Sequence, residues 1–298
     1  MLPIVSHPDY DIPLPPGHRF VASKFSALMT ALGSLGLMEQ MQLHKPVSAN
    51  VQDLSQVHDP AYVDAIAKGS LTAKQLKTLG LDWSPQLVKR SFISPNGTLM
   101  AATLALQTGL ACHAAGGTHH AHVDYGAGFC VFNDMAFAAK QLIASGAASK
   151  VLILDCDVHQ GDGTARILAD DPSIFTCSLH CRINYPQDKA SSDWDVELEA
   201  DTGDQAYLAV LEQVLADLPN RFAKPDLVIY DAGVDAYEGD RLGRLRLSYE
   251  GLRQRDQRVL AHFRAQNIPV ATVIGGGYSA DPNEVAFRHS LVFQAALK

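Results

Sequence analysis

Cysteine is scarce in this chain of 298 residues. There are five, an odd number, and no C-x-x-C pair occurs. No thiols accompany the adjacent histidines His119 and His120, a poor fit to a Cys-rich structural zinc site, and Cys112, Cys130, Cys156, Cys177 and Cys181 are expected to be reduced thiols in a cytoplasmic protein. Long apolar runs are also missing. None approaches the roughly 20 residues a membrane helix needs. The opening stretch, MLPIVSHPDYDIPLPPGHRF, has no basic segment feeding an apolar one, so a secretory signal is not expected. Basic clusters are absent too: 24 Lys and Arg stand against 32 Asp and Glu, a formal net charge of -8. Direct nucleic-acid binding is not expected of such a chain. A basic peptide stays open as a partner, because an acidic rim would favour it. There is no internal repeat, low-complexity tract or evident linker, and no G-x-G-x-x-G, P-loop or G-x-S-x-G signature.

What is present is a chain that is 47% hydrophobic, enough for a sizeable core. Beyond the first ninety-odd residues, apolar strands alternate with helices. Val151–Leu154, Ile174–Leu179, Leu227–Tyr230 and Val270–Ile274 read as strands. Asn96–Ala115, Asn133–Ser145, Gln205–Asp217 and Tyr249–Gln266 read as helices. The alternation predicts a three-layer α/β/α fold around a mainly parallel sheet, as one unit over 1–298. Each strand runs into polar or glycine-rich sequence: DCDVHQGDG, SLH, DAGVDAYEGD and GGGY. Ligands of such sheets sit beyond the carboxyl ends of the strands, so four segments deliver Asp, His, Tyr and Gly to one rim.

Asp155-x-Asp157-x-His159 places three ligand-type side chains on one face of an extended strand end. Two carboxylates and an imidazole suit a divalent ion such as zinc, iron or manganese; the same residues also suit helix capping. Asp240 is a further carboxylate after the third strand, in a sequence that also reads as an ordinary turn. His119 and His120, on a glycine loop, have the chemistry of proton carriers, with Asp155 and Asp162 as orienting partners. Tyr278 follows three glycines and could donate its phenol proton to a developing oxyanion, or sit at the surface of a flexible turn.

Together, GGTHHA (116–121), GAGFCVFND (126–134), DCDVHQGDG (155–163), Ser178–His180, GDRLG (239–243) and GGGY (275–278) resemble the zinc-dependent histone deacetylases. The likeness runs over nearly the whole chain and is greatest to class IV and bacterial relatives. It implies an arginase/deacetylase-like fold and hydrolysis of N-acyl-lysine amides in proteins or peptides. Small acylated amines such as acetylpolyamines are the alternative substrates, and a non-catalytic acyl-lysine binder is a more distant one. On this resemblance, Asp157, His159 and Asp240 hold Zn2+, or Fe2+ in its place. His120 is the general base, oriented by Asp162, and His119 is partnered by Asp155. Tyr278 stabilises the oxyanion. Phe129, Tyr185, Gly128 and Gly276 line the substrate tunnel. Asp155, Asp157, His159, Ser178 and Leu179 contribute to a structural K+ site, and Arg19 faces an internal product channel. Two positions depart from the family pattern: Gln160, where many eukaryotic members carry histidine, and Tyr185-Pro186-Gln187-Asp188 at the tunnel rim.

Overall fold

In a computed structural model that describes residues 1–298, the strands form one sheet of eight, all parallel. They are β1 (Leu2–Val5), β2 (Met41–His44), β3 (Leu110–His113), β4 (Val151–Asp155), β5 (Ile174–Cys181), β6 (Trp194–Leu198), β7 (Leu227–Asp231) and β8 (Val270–Val273). Their order across the sheet is β2-β1-β3-β8-β7-β4-β5-β6. The central strands β4, β7 and β8 are buried along their whole length, as continuous apolar runs covered on both faces should be.

The helices are α1 (Lys24–Ser34), α2 (Val51–Leu54), α3 (Pro60–Lys68), α4 (Ala73–Leu79), α5 (Pro85–Thr108), α6 (Asp134–Ala144), α7 (Asp162–Leu168), α8 (Asp204–Arg221), α9 (Tyr249–Ala265) and α10 (Pro282–Ala296). One group packs as α5 on α6 and α6 on α7; the other runs α1 on α10, α10 on α9, and α9 on α8. This is the expected three-layer arrangement. The sheet is wholly rather than mainly parallel.

The boundaries differ most from the sequence reading at α5, which begins at Pro85 rather than Asn96. The helix expected to reach Ala115 stops at Thr108, and Leu110–His113 is a strand. Gly109 explains the stop: its φ of 85° is the left-handed cap that lets α5 end and the chain reverse into β3. Strands β1, β2, β3 and β6 were not expected at all. MQLH and WDVEL lack a continuous apolar run, LPIV carries a proline, and LACH directly follows the glycine that ends α5.

Candidate active site

The register of the central strands sets the site. Asp155, the last residue of β4, pairs with Asp231, the last of β7, so these two carboxyl ends lie level; on its other side Asp155 pairs with Ser178, from which β5 runs on to Cys181. The segment after β4 then carries Asp157 and His159, and the segment after β7 carries Asp235. Ligand atoms of Asp157, His159 and Asp235 lie within 4.8 Å of one another, all buried. His159 Nδ1 is 3.0 Å from Asp157 Oδ1 and 3.1 Å from Asp235 Oδ2.

Asp240 is not part of this group, and the expected ligand set is corrected here. Its Oδ2 accepts from the Tyr278 N–H at 2.7 Å and from the Arg288 guanidinium at 2.9 Å. Its Oδ1 accepts from the Leu242 and Gly243 N–H groups. Every lone pair that could reach an ion is committed to protein donors. Asp240 therefore anchors the backbone of Tyr278, and Asp235 takes the place assigned to it in the cluster.

The cluster fits a cation. Burial, then the neighbouring Asp157, push the Asp235 carboxyl up to about 7. Burial opposes a charge on His159, yet Asp157 and Asp235 outweigh it and push the imidazole up to about 10. Two buried carboxylates and a ring nitrogen converge, and their effect on the ring shows that the group favours a positive charge. A divalent ion with nitrogen and oxygen ligands would supply it.

The paired histidines sit beside this group. His119 Nδ1 is 2.8 Å from Asp155 Oδ2, and its Nε2 lies 3.9 Å from Asp157 Oδ1. Burial works against its charge, but Asp155 and Asp157 hold its pKa well above the ordinary value. His120 Nδ1 is 2.7 Å from Asp162 Oδ1, and its Nε2 has no protein partner. Burial and then the adjacent His119 pull its pKa down to about 3. One ring is thus held charged and its neighbour neutral, 4.1 Å apart between centroids.

Tyr278 is buried, and its hydroxyl makes no hydrogen bond within the protein. Burial, followed by Asp235 and Asp157, holds the phenol well above its usual pKa, so it stays a proton donor. Phe129 packs 6.1 Å from Tyr278, and Tyr185 stands edge-on to His120 at 4.8 Å. Phe129 has φ of 69°, a conformation that costs a non-glycine residue about 1–2 kcal/mol. Its N–H donates to Leu79 O, which holds it there. Gly128 is needed beside it: a Cβ there would fall 2.6 Å from the His120 ring. At Gly276 a Cβ would lie 2.0 Å from Asp235 Oδ2, so the backbone approaches the cluster as only glycine allows.

The remaining expected residues divide. Asp155, Asp157 and His159 lie at or just beyond the end of β4, beside Ser178 and Leu179 within the neighbouring β5. Ser178 Oγ lies 3.0 Å from His180 Nδ1. Gln160 stands outside the ligand group and bonds Asp195 and Ala190. Arg19 is corrected: it is exposed and lines the outer mouth. The buried cations behind the site are Lys24, whose Nζ donates to Gly275 O at 2.8 Å, and Arg90, stacked on Phe20 and Phe25.

Several supporting residues escaped the sequence reading. Asp134 accepts from the N–H groups of Gly117 and Thr118 and fixes the loop that carries both histidines. Arg255 donates to Cys156, Ala232 and Gly233 carbonyls, tying together the segments that carry Asp157 and Asp235. Asp231, buried beside His119 and Asp155, has no hydrogen-bond partner on either oxygen. Burial, with Asp155 next, holds its pKa far above the usual carboxylate range. His122 shares Asp162 with His120, at 3.2 Å. Its signal was in plain view as the third histidine of HHAH.

Level strand ends, a cation-demanding cluster, a neutral imidazole and an unpartnered phenol under one cavity make up a hydrolytic centre suited to a metal. A sequence model described as the histone deacetylase domain matches residues 18–292, and the chain belongs to that family. Its relatives include an uncharacterized protein of Picosynechococcus sp., 46% identical over 294 residues, covering 99% of this chain and 98% of the relative. Histone deacetylase 2 of Arabidopsis thaliana is 32% identical over 270 residues, covering 88% and 70%. The crystal structure of the HDA15 HD domain superposes with a TM-score of 0.81 at 21% identity, covering 99% of this chain and 90% of that one, a likeness of fold. Family membership supports a hydrolase with deacetylase activity in general. No helix is long and apolar enough to cross a membrane.

Proposed function

We propose that this chain is a zinc-dependent deacylase that hydrolyses N-acyl-lysine amides in proteins or peptides, in a cytoplasmic setting. The observation that carries the reading is the convergence of Asp157, His159 and Asp235 beside the His120–Asp162 pair and Tyr278. Asp157, His159 and Asp235 would hold the ion, with Fe2+ the alternative to Zn2+. When bound, the ion supplies a Lewis acid for the acyl carbonyl and a more acidic water.

The chain's own residues do the rest. His120, held neutral with Nε2 free, takes a proton from the attacking water and returns it to the departing lysine nitrogen. Asp162 fixes the tautomer by binding Nδ1. His119, kept charged by Asp155, offsets the surrounding carboxylates and keeps His120 from protonating early. Tyr278 donates its phenol proton as a hydrogen bond to the oxyanion, a term of about 3–4 kcal/mol in comparable sites. Phe129 and Tyr185 flank the methylene stem of the substrate lysine and keep water from it. A structural K+ would draw on Asp155, Asp157 and His159 at the end of β4 and on Ser178 and Leu179 of the neighbouring β5.

The test is turnover of lysine peptides carrying acyl groups from acetyl to myristoyl, beside acetylpolyamines, with Zn2+ or Fe2+ restored. Hydrolysis of acyl-lysine peptides supports the reading. A strong preference for acetylpolyamines would shift it to small acylated amines. No product from any substrate would leave a binder only.

A further inference from the structure

Above the catalytic residues opens a mouth of about 360 Å³. Its lining includes three cationic side chains, Arg19, Lys77 and Arg244, and not one carboxylate. They come from three separate stretches: the segment before α1, helix α4, and the segment after β7. All three are exposed, and none forms an ion pair. This runs against the composition, since the chain as a whole carries -8. It also reverses the expectation of an acidic rim that would draw a basic peptide.

The scissile amide is neutral and the lysine stem apolar, so neither calls for cations at the entrance. What the cations can meet is whatever the substrate carries just outside the tunnel. Charges around a concave mouth with low-dielectric walls focus their field, and about 8–10 Å of screening length spans the entrance at ordinary ionic strength. Net charge elsewhere on the surface is screened over the same distance. Two of the three are arginines, whose guanidinium groups bind carboxylates through two parallel hydrogen bonds.

We propose that the mouth selects acyl-lysines flanked by acidic residues, an inference that rests on the deacylase reading above. The same field disfavours polycationic substrates such as acetylpolyamines. It also works against retention of the product, whose lysine nitrogen becomes an ammonium once the amide is cleaved.

Three acetyl-lysine peptides, identical except for acidic, neutral or basic flanks, supply the test. The expected kcat/KM ratio is about five- to tenfold in favour of acidic over neutral flanks, and as much again over basic ones, at low salt. Raising salt to about 0.5 M should compress the series. The R19Q/K77Q/R244Q variant should bring acidic and neutral peptides within about twofold of each other, and Arg244→Gln alone part of the way. Because these side chains are exposed and unpaired, the substitutions leave the core untouched. Equal or faster turnover of the basic peptide overturns the proposal, as does an acidic preference that survives the triple variant. A fourth substrate, acetyl-lysine as the free acid against its amide, separates the source of the carboxylate. A preference there, with flank charge immaterial, would overturn acidic peptides in favour of a small carboxylate. No turnover of any peptide would instead defeat the deacylase reading itself.

Discussion

At the floor of the site, Asp157, His159 and Asp235 are 1%, 6% and 0% exposed, and each neighbour is dictated by another. At the mouth, Arg19, Lys77 and Arg244 are exposed and paired with nothing. The difference follows from solvent. A buried charge must have its partners supplied by the fold, because leaving it alone costs several kcal/mol. A charge at the mouth is satisfied by water and is free to serve a ligand. Chemistry is therefore fixed at the floor, while selectivity is left to the mouth.

The strongest way to break this comparison is to remove floor groups one at a time. Asp235→Ala should lower bound metal, read by elemental analysis, and cut turnover by more than the roughly 10–100-fold of an outer-shell change. Tyr278→Phe should lower kcat by about 10²–10³ with KM little altered, since the phenol acts mainly on the oxyanion. Near-normal kcat in Tyr278→Phe would remove it from the mechanism.

Asp240→Ala sharpens the distinction between ligand and support. It takes the 2.9 Å carboxylate partner from the fully buried Arg288 guanidinium and leaves Glu284, at 3.0 Å, as its remaining one. Stability should fall by about 1–3 kcal/mol, measured by denaturant unfolding, while the folded fraction keeps its metal. Loss of metal with stability unchanged would restore Asp240 as a ligand.

Asp235 and Asp240 also mark what the sequence could and could not reveal. Both lie in one loop, DAGVDAYEGD, and both are carboxylates at a strand end. Which of them turns toward the cluster is decided by Arg288, on α10 nearly fifty residues later, and by the N–H of Tyr278. No spacing rule contains that information. His119, His120, Asp155, Asp157, His159, Asp162 and Tyr278 were legible because each follows a buried apolar strand or a glycine turn. The central strands were legible for the same reason. Strand β1, the edge strands β2 and β6, and the buried Lys24, Asp134 and Arg255 depend on partners far away in the chain. The mouth was the least legible part, because exposed Arg and Lys in irregular segments carry no pattern.

A smaller effect separates the floor from its scaffold by pH. His58 donates from Nδ1 to His122 O and accepts at Nε2 from the Asn133 N–H. Both ring nitrogens are used in the neutral form, and burial pulls the pKa down to about 4. The folded value lies below the unfolded value of about 6.5. The stability it protects is thus fully present above pH 6.5 and lost as pH falls toward 4. Between those limits this residue should contribute a slope of about 1.4 kcal/mol per pH unit, read from denaturant midpoints. His58→Gln should flatten that part of the slope. An unchanged slope would mean that other buried histidines account for it.

The smallest effect lies where floor and mouth meet, at Asp162. This carboxylate accepts from His120 Nδ1 at 2.7 Å, from His122 Nε2 at 3.2 Å and from Arg166 at 3.0 Å. Three donors on one carboxylate leave less of its charge for each. Removing His122 as His122→Phe concentrates that charge on His120 and favours its protonated form, in which it cannot act as a base. The acid limb of the kcat/KM profile should move to higher pH, giving about a two- to fivefold loss near pH 4 and little near pH 8. His122→Gln, which keeps a donor, should restore most of the profile. A purely structural role for His122 would lower rates equally at both pH values, and the profile would keep its shape.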